Sequence, residues 1–349
     1  MKTLILPFIL ILMFVFSCRD NEIDEGLEKK NVSYDLYIAG KENNIACYWK
    51  NTIKTELTNG NNINTIDIKV ENNDVYVTGS LMATTTLNKE IHYFWKNNIR
   101  TDVKQYLNIP NNVQNNITCF SVINGDIYFA GYVENPNATS GVDKYELCYW
   151  KNGSKTIIYK SNYSPFAESI LVDGSDVYVS AVRRDNNQNT EYGYFKNTAF
   201  YSLNVGYVYN LVKNSNGIHL LYQIGLKYYS KNLNTNAETL IGDYTHPAST
   251  LGKIISHNAN NDLYTIQSFL GTAYFKNNLQ IIPNFSTLPF IQDMFILDNN
   301  MYMIKYENEN NAYNGKVFIN SIESQSLNST PNGTPYYSGT LNSIYVLEN

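Results

Sequence analysis

The side chains best suited to hold a ligand lie at the ends of strand-like segments, where a repeated pattern breaks. Arg183 and Arg184 form the chain's adjacent arginine pair, and guanidinium groups could pair with carboxylate or sulfate groups of an acidic glycan. The alternative is a solvated loop in which they pair with the neighbouring Asp185 or Glu191. The predicted ligand-binding set, taken from the ends of the second strands, is Lys41, Tyr132, Arg183, Arg184, Gln223, Gln267 and Lys305.

Aromatic residues in loop-like segments form a second candidate group. They could stack on sugar rings, or they could pack the loops against the rest of the protein. These residues are Tyr163, Phe166, Tyr244, Phe285 and Phe290.

Signals for catalysis are weak. The four histidines are scattered, and the chain contains no Walker loop, G-x-S-x-G or dinucleotide-binding pattern. We therefore predict no catalytic residues, no metal and no cofactor. Carboxylate pairs for glycoside cleavage need only proximity in space. A hydrolase or lyase acting on extracellular polysaccharide thus stays open as the alternative function.

A repeated phrase determines where the candidate ligand-binding residues lie. It reads D-x-Y-[VIF] followed by Y-W-K-N or Y-F-K-N, and it recurs about seven times. A period of 38 to 52 residues is typical of β-propeller blades. The recurring aspartates follow tight turns, where Asp satisfies local backbone donors, so we interpret them as structural. The recurring phrases begin at Asp35, Asp74, Asp126, Asp176, Gly217, Asp262 and Asn300.

The fullest repeat divides into four strands, at 117–123, 126–132, 145–151 and 155–160. Asn124-Gly125 and Asn152-Gly153 predict type I′ hairpin turns, which need positive φ at both central residues. Each repeat is therefore predicted to be a four-stranded antiparallel meander.

The two ends of the repeat region complement each other. The first repeat begins at its second strand, 34–40, and the segment 341–347 matches a first strand. We predict an all-β protein, a seven-bladed β-propeller closed by the C-terminal strand pairing with the N-terminal blade. Deletion of the last nine residues should open the ring.

Two residue types are predicted to be core. The tryptophans share one repeat position, and the cysteines beyond Cys18 lie too far apart for disulfides, so we expect free buried thiols. These residues are Trp49, Trp95, Trp150, Cys47, Cys119 and Cys148.

Connections between second and third strands, and between blades, are longer than the others and should leave the same face. All eight prolines beyond residue 17 fall in them. Loops on a rigid scaffold usually carry function, so we predict that this long-loop face binds the ligand.

The N-terminal residues indicate an exported lipoprotein. A basic start and an apolar run at 4–16 are typical of a signal peptide, predicted at 1–17. V-F-S-C at 15–18 resembles a bacterial lipobox, which implies that Cys18 carries lipid such as palmitate. Residues 18–32 form a mostly acidic tether that resembles the surface-export signal of Bacteroidota lipoproteins. We predict an outer-membrane, cell-surface protein held by its lipid, with a periplasm-facing location as the alternative.

The phrases D-V-Y-V-x-G and Y-W-K-N-G resemble those of β-propeller lipoproteins of Bacteroidota, over about residues 33–349. The resemblance implies a cell-envelope lipoprotein and supplies no catalytic residues. A net charge of −5 without a basic stripe argues against nucleic-acid binding. The predicted function is non-catalytic binding or scaffolding, with a glycan or envelope protein as partner.

Overall fold

The structure is a computed structural model that describes residues 33–81, 91–139, 143–185, 187–243, 250–256, 261–268, 273–281, 290–309, 312–327 and 339–349. Residues 34–347 are one compact unit, and residues 1–33 with 348–349 are assigned to another. The predicted signal peptide, Cys18 and the tether lie outside the described residues. The larger unit contains seven four-stranded antiparallel sheets, so the predicted seven-bladed β-propeller is confirmed.

The strands are numbered in chain order, four to a blade. Blade 1 contains β1 (Tyr34–Glu42), β2 (Ile45–Lys50), β3 (Ile53–Asn61) and β28 (Gly339–Glu348). Blade 2 contains β4 (Ile63–Glu71), β5 (Asp74–Leu81), β6 (Ile91–Lys96) and β7 (Ile99–Asp102). Blade 3 contains β8 (Asn115–Ile123), β9 (Asp126–Glu134), β10 (Tyr145–Lys151) and β11 (Ser154–Ser161). Blade 4 contains β12 (Phe166–Asp173), β13 (Asp176–Arg184), β14 (Thr190–Lys196) and β15 (Ala199–Leu203).

The remaining blades follow the same order. Blade 5 contains β16 (Tyr207–Asn214), β17 (Gly217–Ile224), β18 (Lys227–Asn232) and β19 (Glu238–Asp243). Blade 6 contains β20 (Thr250–Ser256), β21 (Leu263–Ser268), β22 (Tyr274–Lys276) and β23 (Leu279–Ile281). Blade 7 contains β24 (Phe290–Leu297), β25 (Asn300–Glu309), β26 (Ala312–Ile319) and β27 (Ile322–Leu327).

Tight turns account for much of the asparagine in the sequence. Asn124 and Gly125 have φ of 53° and 79°, as a type I′ turn requires. Asn97 and Asn98 adopt the same conformation, with φ of 47° and 67°. Asparagine enters the left-handed region at lower cost than most residues, so the Asn-rich turns fix the hairpin register.

The repeated D-x-Y…K-N phrase forms a clasp between the second and third strands. In blade 2, Asn97 Nδ2 donates to Asp74 at 2.5 Å, and Asn97 Oδ1 accepts from the Val75 backbone N–H at 2.9 Å. Lys96 pairs with Asp74 at 2.8 Å and lies 5.3 Å from the centroid of the Tyr76 ring. The predicted structural role of the aspartates agrees with these contacts, although their partners are Lys and Asn side chains and the Asn accepts from the backbone donor.

The ring is closed as predicted. The sheet order of blade 1 is β28-β1-β2-β3, so the last strand of the chain completes the first blade. A Cβ at Gly40 would overlap the carbonyl oxygen of Thr340, so glycine at this point of the repeat lets β28 lie close to β1. Tyr306 of blade 7 donates its hydroxyl to the Leu341 carbonyl at 2.9 Å.

Among the described residues, the structure adds a single helical turn, α1 (Val103–Tyr106), to the predicted all-β architecture. Asp102 caps it by accepting from the Gln105 N–H at 3.0 Å. A cap and one turn carry no helical periodicity that a sequence pattern could display. Within the described ranges, no helix is long and apolar enough to cross a membrane.

The core lies between the blades, and both residue types predicted to be core are found there. Trp49, Trp95 and Trp150 are 4%, 0% and 0% exposed. The three cysteines beyond Cys18 are free and buried, as predicted. Burial raises the pKa of each thiol to about 12, so these side chains act as small apolar residues.

Candidate functional site

The first strands of the blades surround a central channel of about 1440 Å³. Most of these strands carry a bulge, which projects an extra side chain. The register of β8 shifts between Ile117 and Cys119, and that of β12 between Ala167 and Ser169. Thr340 of β28 lies against Gly40 in the same way as Asn116 of β8 lies against Gly131. Asn342, two residues after Thr340, therefore corresponds to Thr118, two residues after Asn116. We call the channel-lining side chains at this level the bulge ring: Ile66, Thr118, Glu168, Asn210, Gln292 and Asn342.

The bulge ring links successive blades. Thr118 Oγ1 donates to the Ala167 carbonyl at 2.6 Å, from blade 3 to blade 4. Asn342 Nδ2 donates to the Thr65 carbonyl at 2.8 Å, from blade 1 to blade 2. Gln292 Nε2 lies 3.5 Å from the Asn342 carbonyl, which is long for a hydrogen bond. Amide and hydroxyl side chains have more donors and acceptors than these bonds use, so the ring can also contact a ligand.

A network of ionic groups lies at the closed seam of the channel, and we call it the closure network. Lys253 Nζ pairs with Asp293 at 2.7 Å, and Asp293 accepts from the Ile344 N–H of β28 at 3.0 Å. On the other side of β28, Ser343 Oγ donates to Asp67 at 2.9 Å. Two carboxylates therefore hold the last strand, one from each neighbouring blade.

Electrostatics keep the Asp67 side of the closure network ionised. Lys69 Nζ lies 2.9 Å from the Asp67 carboxylate. Burial alone would raise the pKa of Asp67, but the charges of Lys69 and Lys253 outweigh it and the pKa lies below its ordinary value. The pKa of Lys253 is raised, because Asp293 and Asp67 outweigh the opposing effect of burial. Asp67 is thus an ionised acceptor at neutral pH.

Glu168 of the bulge ring meets a group of tyrosines at the start of β16. Tyr207 donates its hydroxyl to Glu168 at 2.5 Å. Burial, with the neighbouring Glu168 charge, raises the pKa of Tyr207, so the phenol remains a donor. The Tyr207 ring centroid lies 5.7 Å from that of Tyr192 and 4.9 Å from that of Tyr209. Half-buried aromatic rings therefore adjoin the channel on the long-loop face.

The predicted ligand-binding lysines and tyrosine are packed into their blades. Lys41 is 6% exposed and donates to Asn64 Oδ1 at 2.8 Å, and burial lowers its pKa. Lys305 is 2% exposed, with Nζ 3.4 Å from the centroid of the Phe318 ring. Tyr132 is 7% exposed and packs edge-on against Phe166.

The arginine pair and the glutamines are also placed by local contacts. Arg183 pairs with Glu191 at 2.7 Å and stacks on Phe200 with its guanidinium carbon 3.8 Å from the ring centroid. This is one of the two acidic partners considered from the sequence. Arg184 is exposed. Gln223 Oε1 accepts from the Tyr209 hydroxyl at 2.7 Å, and the side chain of Gln267 lies outside the described residues.

The loop aromatics are described in part. Phe166 is 42% exposed at the start of β12, and Tyr163 is half-buried. Tyr244, Phe285 and the side chain of Phe290 lie outside the described residues. Among the described members of this group, Phe166 is the exposed one, and it lies on β12, two residues before Glu168.

Sequence reasoning missed both the bulge ring and the closure network. Ile66, Thr118 and Gln292 differ in type because each bulge serves a different neighbour, so no repeat phrase contains them. A usable signal was present: Asp67, Lys253 and Asp293 are charged residues in the interior of first strands, next to apolar residues. Among the described residues, no group of three His, Cys, Asp or Glu side chains could hold a metal ion.

No protein-family model matches the sequence, and no curated protein matches it. Apo AztD from Citrobacter koseri is 8% identical with a TM-score of 0.47, over 91% of this chain and 98% of that chain. A nidogen/laminin complex is 9% identical with a TM-score of 0.40, over 90% and 98%. A puromycin-hydrolysing peptidase of Mycobacterium tuberculosis is 7% identical with a TM-score of 0.45, over 73% of this chain and 44% of that chain. Similarity at this level carries no information about what the chain binds.

Proposed function

We propose that the chain is a lipid-anchored cell-envelope protein whose propeller binds a glycan without transforming it, through the long-loop mouth of the central channel. The observation that carries the proposal is the channel itself. Its volume of about 1440 Å³ exceeds the roughly 300–1,000 Å³ of pockets for small ligands. An extended ligand suits that space better than a compact one.

The chemistry of the channel wall supports a glycan. The bulge ring offers hydroxyl, amide and carboxylate groups, which match sugar hydroxyls in hydrogen-bonding capacity. Half-buried aromatic rings line the same space, among them Phe120, Tyr93 and Tyr345, and sugar rings pack on such surfaces. Polar groups in small number on a partly aromatic wall are typical of binding sites.

The channel carboxylates support binding over hydrolysis. Asp67 and Asp293 are each paired with a lysine, and Glu168 accepts a phenol hydroxyl. A glycosidase needs one carboxylic acid with a raised pKa as proton donor. The pKa of Asp67 is shifted in the opposite direction, so this carboxylate is suited to a structural role.

Membrane anchoring is supported by the sequence. The apolar run at 4–16 and the V-F-S-C phrase ending at Cys18 match a lipoprotein signal. The tether at 18–32 is mostly polar and contains too few apolar residues to fold alone. Mass spectrometry of the N-terminal peptide tests this part: a diacylated Cys18 supports it, and an unmodified Cys18 in the membrane fraction contradicts it.

The binding part is tested with a glycan array and an envelope pull-down. Gln292→Ala removes an exposed ring side chain whose contact with Asn342 is long, so the fold should be retained. Gln280→Ala, on the exposed outermost strand of blade 6, is the matched control. We expect a saturable glycan signal that Gln292→Ala weakens and Gln280→Ala leaves unchanged. A stoichiometric protein partner without any glycan signal would overturn the proposal.

A further inference from the structure

The outermost strands carry an uneven ring of side chains. In six blades the first residue of the fourth strand pairs with the last residue of the third strand. In blade 5 the residue opposite Asn232, the last residue of the third strand, is Ala237, whose carbonyl accepts from the Asn232 N–H at 2.8 Å. Lys50 pairs with Ile53, Lys151 with Ser154, and Ile319 with Ile322. The residues at this position are Ile53, Ile99, Ser154, Ala199, Ala237, Leu279 and Ile322. They therefore lie at one level of the propeller, on its short-turn face.

Four of these seven positions hold large exposed aliphatic side chains, and they are consecutive. Leu279, Ile322, Ile53 and Ile99 belong to blades 6, 7, 1 and 2, and they are 66%, 74%, 74% and 72% exposed. Blades 3, 4 and 5 carry Ser154, Ala199 and Ala237 at the same position. We call the first set the apolar arc. Scattered exposed aliphatics need no explanation, but a run restricted to one side of a repeat ring does.

The chain enters the propeller in the middle of this arc. Tyr34 is the first residue of β1, a second strand, and second strands begin on the short-turn face. The Tyr34 hydroxyl donates at 2.9 Å to Asp298, which lies in the turn between the first and second strands of blade 7. The residues that precede Tyr34 include the predicted tether and Cys18, so the predicted lipid attaches through the side of the ring that carries the arc.

The charges beside the arc are balanced. Lys50, Lys96 and Lys276 stand next to three of its aliphatic side chains and pair with Asp35, Asp74 and Asp262. In blade 7 the corresponding residues are Asn300 and Ile319, which are uncharged. The lysines are 48%, 46% and 39% exposed, so their stems can lie along apolar matter while their ammonium groups stay in water.

We propose that the apolar arc docks on the surface of a lipid bilayer and holds the propeller tilted, with blades 6, 7, 1 and 2 against the membrane. The inference rests on the proposed lipid anchoring. Four aliphatic side chains at one level match a flat partner, and the tether limits how far this face can leave the bilayer. Shallow insertion of apolar side chains into the headgroup region is the usual mode of interfacial binding. Docking turns the mouth of the channel on the long-loop face away from the membrane.

The test uses the full chain in vesicles of phosphatidylethanolamine and phosphatidylglycerol that contain a quencher-bearing lipid. Ile53→Cys and Ser154→Cys each place one exposed thiol at the same repeat position, the first within the apolar arc in blade 1 and the second outside it in blade 3. The native thiols beyond Cys18 are buried, so a fluorophore attaches to the new cysteine. We expect the lipid quencher to reduce the fluorescence at position 53 and to leave position 154 unchanged.

A second variant tests the energetics. The substitutions Ile99→Thr and Leu279→Thr, made together in the Ile53→Cys background, replace two large aliphatic side chains. Threonine is β-branched and therefore suits a strand. The ratio of docked to undocked protein should fall by about tenfold for each side chain removed. Ala199→Thr introduces a threonine at the same repeat position on the opposite side of the ring, and it should leave the ratio of docked to undocked protein unchanged.

The outcomes separate this inference from the anchoring on which it rests. Protein that floats with the vesicles but shows equal fluorescence at positions 53 and 154 would overturn docking while anchoring stands. Protein that fails to float would overturn both. Shielding of position 53 without vesicles, together with a dimer in solution, would assign the apolar arc to a contact between two copies and overturn the lipid surface as occupant.

Discussion

Asp293→Ala is the sharpest test of how the ring is closed. Asp293 is 3% exposed and accepts from three donors: Lys253 Nζ at 2.7 Å, the Met294 N–H at 2.9 Å and the Ile344 N–H at 3.0 Å. Alanine offers none of these donors an acceptor. Because Ile344 belongs to β28, the substitution should weaken the attachment of the last strand in particular.

The magnitude follows from the surroundings of each donor. A hydrogen bond to a charged group contributes about 1.5–3 kcal/mol when buried. The Lys253 side chain is 40% exposed, so its ion pair adds only about 0.2–1 kcal/mol, as for surface pairs. We expect a loss of about 3–5 kcal/mol. At about 2.1 cal/mol/K of unfolding entropy per residue, this lowers the melting temperature of a propeller of this length by roughly 5–8 °C.

The assay combines thermal melting with amide hydrogen exchange. The β28 amides should lose protection before those of the other first strands, since their loss reports opening of the seam. Asp173→Ala is the matched control, because Asp173 is likewise an aspartate of a first strand that pairs with a lysine of a neighbouring blade, Lys213, but both side chains are exposed (37% and 53%). The control should lower stability by no more than about 1 kcal/mol. Equal effects of the two substitutions, or unchanged β28 protection in Asp293→Ala, would refute the reasoning.

Three other properties can be checked directly. Asn97→Gly keeps the positive φ of its turn but loses the clasp to Asp74 and Val75, so urea denaturation should show a loss of about 1–2 kcal/mol; Asn72→Gly, at a φ of 51°, should change stability by less than about 0.5 kcal/mol. The pKa of Asp67 is lowered on folding, so the stability that it contributes is present above its unfolded pKa of about 3.9 and is lost as pH falls through the folded value. Below about pH 4, the melting temperature of Asp67→Asn should therefore fall less steeply with decreasing pH than that of the unsubstituted protein. The three buried thiols have pKa values raised to about 12, so mass spectrometry should find them unalkylated at pH 8 until urea unfolds the ring, and rapid labelling of the folded protein would contradict this.

The fold could be predicted from the sequence because its determinants are local and repeated. Asn124-Gly125 specifies a hairpin by its φ preferences alone. The second-strand pattern at 34–40 and the first-strand pattern at 341–347 complement each other and reveal how the ring closes. The candidate site could not be predicted in the same way. Lys41 and Lys305 are polar residues at strand ends, but whether they meet ligand or a neighbouring side chain depends on packing between blades.

The side chains that line the channel could not be predicted either, because their positions depend on contacts between blades. Thr118, Glu168 and Asn342 are unrelated in the sequence, and bulges bring them to one level. A bulge adds one residue to a strand, and no fixed sequence pattern marks its place. The aspartates, in contrast, were interpreted as structural because they follow tight turns, and their contacts are structural, although these contacts are to the Lys and Asn side chains of the clasp.

The sheet order β28-β1-β2-β3 also has a consequence for biogenesis. The inner edge of β1 has its partner about three hundred residues later in the chain, so during synthesis and export six blades can form while the first remains one strand short. Its unpaired edge is then a template for any first-strand sequence, including that of another molecule. Two chains that exchange their last strands would satisfy every contact of β28 in trans. High concentration during refolding should thus yield interlocked dimers, and a chaperone that delays pairing at β1 would favour the monomer.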